Sequence, residues 1–350
     1  MKQEQEQEAN KPLRIVIVGG GTAGWMSANL FAQKWSTKNI QITLIESPNI
    51  GTIGVGEGST PSLKRFFEML SVDESQWMPR CNATYKSNIR FAGWSPKSGI
   101  ASYSHPFPSQ VDTFTSRAFT VNCRTRRLGL DVHTRPEDFL FNGVLAHQGK
   151  APITPDNFPF NMEYGYHFDS HLLGEFLTEL AVNKGVNHLR EHVVGVARHA
   201  NGDIASITIK CGETIQGDFF VDCTGFAALL MQKTLGVEFH SYKANLFNDS
   251  ALVMPTPITD EIPVETVSTA LSAGWCWQIP LRNRFGNGYV YSSDFIDDDS
   301  AETEFRAHLN CLDSEHEVRH LKMKVGRLES QWSHNCIGLG LSQGFIEPLE

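Results

Sequence analysis

The segment Leu13-Arg-Ile-Val-Ile-Val18 runs directly into Gly19-Gly-Gly-Thr-Ala-Gly24, and Trp25 to Lys34 then shows helical spacing of apolar residues. This predicts strand, tight turn and helix in immediate succession. A second β-rich run, Ile40 to Ile45, ends at Glu46, 22 residues past Gly24. Gly19, Gly21 and Gly24 therefore satisfy GxGxxG in the context the motif requires. A side chain at Gly19 or Gly21 would block the turn or hold a pyrophosphate off the backbone amides, and a larger residue at Gly24 would push helix from strand. Thr22 and Ala23 complete the turn and belong to the same candidate cofactor site, with Glu46 placed to bind a ribose hydroxyl. The motif alone does not distinguish a flavin from a nicotinamide.

The middle of the chain extends this unit. Asp169 is placed to cap a helix whose apolar face is Leu172, Leu173, Phe176, Leu177 and Leu180, stopped near Gly185. Then come Val193 to Val196, an Asn201-Gly202 hairpin turn, Ile204 to Ile209, and Phe219-Phe-Val-Asp-Cys-Thr-Gly225, which read as an antiparallel meander followed by a buried strand. That order resembles nucleotide-binding flavoproteins, and the resemblance implies that the Asp222 to Gly225 turn lies near the cofactor and that Val193 passes the adenine. The expected fold class is α/β, a Rossmann-like FAD-binding domain of the flavin monooxygenase type with an inserted α+β substrate module. The expected division is a disordered tail at 1–11, a discontinuous FAD-binding domain at 12–96, 161–240 and 325–350, and a substrate-covering module at 97–160 and 241–324. The stretch 97–160 is rich in Pro, Phe, His and Arg and shows no long periodic segment.

Composition removes several function classes. With 41% hydrophobic and 20% charged residues in 350, the chain has material for a large core. A net charge of −9 gives no basic surface of the kind that tracks phosphate backbones, so no nucleic-acid partner is expected. The longest apolar stretches fall far short of the ~20 residues of a membrane helix, and the Gln- and Glu-rich start at Met1 to Lys11 is no signal peptide. Seven widely spaced cysteines with no CxxC fit reduced thiols in a cytoplasmic protein, not a disulfide frame or zinc ribbon.

Three further segments narrow the reading. Gly274-Trp275-Cys-Trp277-Gln-Ile279-Pro280 carries WxWxIP, and a β-strand would set both indoles on one face. Gly54-Val-Gly-Glu-Gly-Ser-Thr-Pro61 is followed by Cys81-Asn-Ala-Thr-Tyr-Lys86-Ser-Asn-Ile-Arg-Phe91. The last residues are Asn335-Cys-Ile-Gly-Leu-Gly-Leu-Ser-Gln-Gly-Phe-Ile-Glu-Pro-Leu-Glu350. With these in view the chain resembles the flavin-dependent tryptophan halogenases and their relatives acting on other aromatics, from Arg14 to Glu350. Flavin monooxygenases share GxGxxG and the Asp-Cys-Thr-Gly turn; WxWxIP and the lysine in Asn-Ala-Thr-Tyr-Lys look like halogenases only.

The resemblance implies that Lys86 is the active-site lysine and Glu350 the active-site glutamate. It implies FAD as cofactor, supplied reduced by a separate, transient flavin reductase, and O2 and a halide ion, chloride or bromide, as co-reactants. Leu341 joins the cofactor site, and Glu57 to Pro61 resembles the family's flavin-contacting loop. Ser98 to Phe107 resembles the substrate loop, with His105 and Phe107 as walls of an aromatic slot, and Trp275 and Trp277 would separate flavin from substrate. The expected partner is a small aromatic substrate, tryptophan or another indole, with a homodimer as candidate assembly. A lysine amine suits this chemistry because it can hold hypohalous acid or become a haloamine, and a carboxylate suits the loss of a proton from a substituted ring. An aromatic hydroxylase and a non-catalytic FAD-binding module are the competing functions. In the family, Glu-Pro-Leu-Glu is followed by Ser/Thr-Gly residues that bind halide and then by a long helical region; neither is in this sequence, which is expected to be a truncated or partial form. No metal site is expected: His316-Glu-Val-Arg-His320 matches HExxH, but its densely charged surroundings fit a solvated helix, and His167 and His171 are read as ordinary polar residues.

Overall fold

A computed structural model describes residues 11–51, 54 and 56–347, and divides the chain into two compact units. The first is built from Met1–Ile53, Ser170–Leu246 and Lys324–Glu347, the second from Gly54–Asp169 and Phe247–Met323. Residues 54–96 and 161–169, grouped in the expected boundaries with the dinucleotide fold, thus cluster with the second unit. Residues 1–10 of the expected tail lie outside the described residues.

The first unit centres on a six-stranded sheet in the order Trp332–Ser333, Cys336–Gly338, Phe219–Asp222, Leu13–Val18, Ile40–Glu46, Asn187–Arg190, parallel except at the Trp332 edge. Leu13–Val18 is central because both its faces are covered; Ile15, Val16, Ile17 and Val18 are all buried. The helix Thr22–Lys34 follows it at once and packs against the helix Ser170–Asn183, which buries Leu173, Phe176, Leu177 and Ala181. The expected meander is present as Val193–Arg198, Ile204–Ile209 and Thr214–Gln216, with Gly202 at φ +94° in its turn. Its inner face closes the core over Val18, Ile45, Phe220 and Leu230.

The second unit is dominated by a seven-stranded sheet in the order Arg319–Lys322, Ser250–Thr256, Phe285–Tyr291, Gly274–Pro280, Glu265–Leu271, Asn88–Ser95, Ile100–Ser104. A smaller antiparallel sheet sets Gly165–Phe168 between Glu57–Gly58 and Thr84–Lys86. Two expectations fail here. Thr115–Arg127 is a 13-residue helix inside the stretch read as aperiodic; it buries none of its residues, so no apolar stripe marks it. The HExxH segment is not helical: Arg319–Lys322 is a strand and His316 precedes it in irregular chain, so the two imidazoles do not share a helix face. Among the described residues no group of His, Cys, Asp or Glu is placed to hold a metal ion, and no helix is long and apolar enough to cross a membrane.

Candidate active site

In the first unit the glycine turn is shaped by what its residues lack. Gly19 has φ +113°, and a Cβ there would collide with the carbonyl oxygen of Cys223. A Cβ at Gly24 would collide with the carbonyl oxygen of Gly19, and one at Gly20 with the Glu46 carboxylate. Gly21 is different, because nothing lies within 4 Å of where its Cβ would be. The protein fills the space beside the other three glycines and leaves the space beside Gly21 open. The helix that starts at Thr22 has no side-chain cap and no acidic residue in its first turn, so no side chain of its first turn offsets its positive end. These residues fit a dinucleotide pyrophosphate.

The surrounding elements converge on this turn. Asp222 is fully buried; its carboxylate accepts from the Thr224 hydroxyl at 2.7 Å and from the Leu230 and Met231 amides at 2.8 Å, fixing the Asp222 to Gly225 turn against Gly19. Burial and the Asp222 charge push the neighbouring Cys223 thiol up to about 12, so it is an inert packing group. The Ser342 hydroxyl donates to the Asp222 carbonyl oxygen at 2.6 Å, which holds the short helix Gly340–Ser342, and with it Leu341, beside Ala23. Val193 packs on the core cluster that contains Val18 and Ile45. Glu46 stands at its strand end, and its Oε1 is engaged by His188 Nε2 at 2.7 Å, a partner the sequence did not suggest.

In the second unit the strand Thr84–Lys86 presents its residues alternately to two faces. Tyr85 faces one side with Tyr164 and Tyr166 of the adjacent segment, and all three hydroxyls donate to Glu74 at 2.7 Å. Thr84 and Lys86 face the other side. Lys86 has no exposed surface, and its Nζ lies 5.9 Å from the centre of the Phe107 ring. Phe107 reaches it because its amide donates to the Ser87 carbonyl while His105 and Ile89 exchange backbone hydrogen bonds, so 105–107 runs beside the lysine's own strand. The structure therefore brings Lys86 and Phe107 together. His105 is exposed, with its ring 6.5 Å from that of Phe91.

Trp275 and Trp277 do share one face of their strand, ring centres 5.9 Å apart. Trp277 lies over Gly288 of the next strand, where any Cβ would collide with its ring, and its indole N–H is buried without a partner among the described residues. The fully buried His167, dismissed as ordinary, hydrogen-bonds Thr84 and Thr266 and lies close enough to Lys86 to feel its charge. Glu57–Gly58 pairs with Phe168 and His167, while Glu350 falls outside the described residues.

Comparison with known proteins shows the family. The family model described as tryptophan halogenase matches residues 14–350. A tryptophan 6-halogenase of Streptomyces toxytricini, SttH, is 39% identical over 97% of this chain and 68% of its own length, and the tryptophan 7-halogenase RebH of Lentzea aerocolonigenes is 36% identical over 96% and 66%. A flavin-dependent halogenase from Xanthomonas campestris superimposes with a TM-score of 0.85 at 36% identity, covering 97% of this chain and 68% of that one. The chain spans about two thirds of the length of these relatives. Matched by that family model over nearly its whole length and by relatives at 36–39% identity, the chain belongs to the tryptophan halogenase family, whose members are flavin-dependent oxidoreductases.

Proposed function

We propose that this protein halogenates an electron-rich aromatic, tryptophan or another indole, using FAD that arrives reduced from a separate reductase. Gly19, Gly21, Thr22, Ala23 and Gly24 would hold the pyrophosphate, Glu46 the ribose, and Val193 and Leu341 would line the cofactor's path. Bound reduced FAD supplies, with O2 and chloride or bromide, one equivalent of hypohalous acid.

The protein's own groups do the rest. The Lys86 amine takes up hypohalous acid, either by hydrogen bond or by exchanging an N–H for an N–halogen bond with release of water. The halogen then passes as an electrophile to the ring carbon as the N–halogen electron pair returns to nitrogen; the ring gives its proton to the Glu350 carboxylate, and that proton passes on to the lysine nitrogen, so that amine, carboxylate and halogenated ring end with no net change of charge. Phe107 and His105 wall the aromatic slot, and Trp275 and Trp277 keep a substrate away from the flavin, where it would be hydroxylated.

The observation that carries this reading is the complete burial of Lys86 with its Nζ beside the Phe107 ring. Burying a lysine costs desolvation of its ammonium form and so favours the neutral amine that this chemistry uses. The test is incubation with FAD, a flavin reductase, NADH, chloride or bromide and a panel of indoles and phenols. Mass spectrometry should show the halogen isotope pattern; a hydroxylated product alone, or none with every substrate, rejects the reading. Glu350→Gln should cost about 10²-fold in rate if the carboxylate is the base.

A further inference from the structure

Thr84, His167 and Thr266 come from three different strands, are all buried, and are joined through one imidazole. Thr84 Oγ1 lies 2.7 Å from the carbonyl oxygen of Pro280 and 3.0 Å from His167 Nδ1. A threonine hydroxyl has one proton and a carbonyl only accepts, so that proton goes to Pro280 and Nδ1 must be the donor. An imidazole protonated at Nδ1 carries its lone pair on Nε2. Thr266 Oγ1, 3.0 Å away, supplies the proton that fills it. Each hydrogen bond in the chain then has one direction, and the neutral imidazole one tautomer. Desolvation first, and the Lys86 charge second, hold His167 well below the ordinary histidine range, which keeps it neutral.

The strands tied together are those that place the lysine. Thr84 is the direct cross-strand partner of His167, and Lys86 that of Gly165, so Thr84, Lys86 and His167 share one face of the small sheet. Thr266 lies opposite Ile89, three residues beyond Lys86, and Pro280 ends the strand that carries Trp275 and Trp277. We propose that His167 is a positioning residue for Lys86: a clamp of fixed tautomer that locks the lysine's strand to Glu265–Leu271 and Gly274–Pro280, so that the amine stands in one place beside Phe107. This rests on the reading of Lys86 as the halogen-carrying amine. A histidine that merely fills the core would have no effect on how much oxidant reaches product.

Thr266 is the probe, since it touches neither the lysine's strand covalently nor any group given a chemical role. In the flavin-loaded protein with its reductase, Thr266→Val should lower kcat about 10-fold, the scale of loss that follows from sub-ångström displacement of a reacting group. KM and flavin affinity should stay within about twofold, and an added scavenger should trap more free hypohalous acid per NADH consumed. Thr266→Ser, which restores the hydroxyl, should recover the coupling. Nitrogen-15 spectra of the unaltered protein give a readout independent of any variant: His167 should be protonated at Nδ1, bare at Nε2, and should not titrate between about pH 6 and 8. The opposite tautomer, a titrating His167, or unchanged product per oxidant in Thr266→Val while Lys86→Ala abolishes product, would each overturn the clamp. Halogenation intact in Lys86→Ala would instead remove the lysine reading, and the inference with it.

Discussion

The glycine turn of the first unit and the lysine strand of the second are built on opposite principles. At Gly19 to Gly24 the site consists of missing atoms: three glycines are required by backbone and side chains that already occupy the space, and Gly21 leaves a gap at a helix N-terminus. At Lys86 the site consists of an excess, a long polar side chain with no exposed surface, set beside the Phe107 ring and near the buried His167. A gap recognises a ligand through backbone that every residue has. An enclosed amine needs its surroundings chosen side chain by side chain, which ties it to one chemistry.

The comparison breaks most sharply at Lys86 itself. Lys86→Ala should reduce halogenation by about 10³-fold or more while the flavin dissociation constant stays within twofold, because the two sites use different parts of the chain. Lys86→Arg should fail as well, since a guanidinium stays protonated and forms no haloamine. Rates near the parent value in Lys86→Ala would show that the burial is structural.

Next in size is the contrast among the glycines. Gly19→Ala places a Cβ against the Cys223 carbonyl at φ +113° and should cost about 3 kcal/mol or more, seen as a lowered denaturant midpoint. Gly21→Ala meets open space, so stability should change by less than about 1 kcal/mol while flavin binding weakens at least about 10-fold. If both variants fold and bind alike, the gap at Gly21 is not the phosphate site.

This difference also explains what could be read from the chain. The turn was legible because its requirements are local: strand, glycines and helix lie within 22 residues, and Glu46 ends the next strand. Lys86 was legible only through the setting Asn-Ala-Thr-Tyr-Lys and its resemblance to a family, since no spacing rule marks a lysine for burial. His167 carries no local signal, because its partners Thr84 and Thr266 stand 83 and 99 residues away. The Thr115–Arg127 helix is silent for another reason: with no buried face, it carries no hydrophobic period. Pairing of the two indoles followed from strand alternation, but Gly288, whose bareness makes room for Trp277, becomes visible only once the register sets them opposite.

Gly288 therefore offers a smaller test, and one that brings the second unit closer to the logic of the first. Here too a side chain depends on a neighbouring gap. Gly288→Ala should force the Trp277 ring aside and destabilise by about 1–3 kcal/mol, with an altered tryptophan signal in the near-ultraviolet circular dichroism. An unchanged spectrum would mean that the indole is looser than its packing implies.

The smallest effect belongs to the reverse face of the lysine strand, where Tyr85, Tyr164 and Tyr166 all donate to Glu74. Burial first, then the hydrogen bond to the carboxylate and its charge, raise all three phenols above their ordinary value of 10.0. A pKa raised by folding contributes stability that is fully present below the unfolded value and is lost as pH rises toward the folded one. Stability should thus be level to about pH 10 and then fall, on the order of 1 kcal/mol per pH unit after allowing for solvent at these half-buried rings. Glu74→Gln removes the charge while keeping an acceptor, so the decline should become shallower and the phenols should ionise earlier. Tyrosinate absorbance followed from pH 9 to 12 in the parent and in Glu74→Gln would measure both. Superimposable titrations would show that Glu74 does not govern these tyrosines, and that the strand's reverse face is held by ring packing such as the 4.9 Å contact of Tyr166 with Trp77.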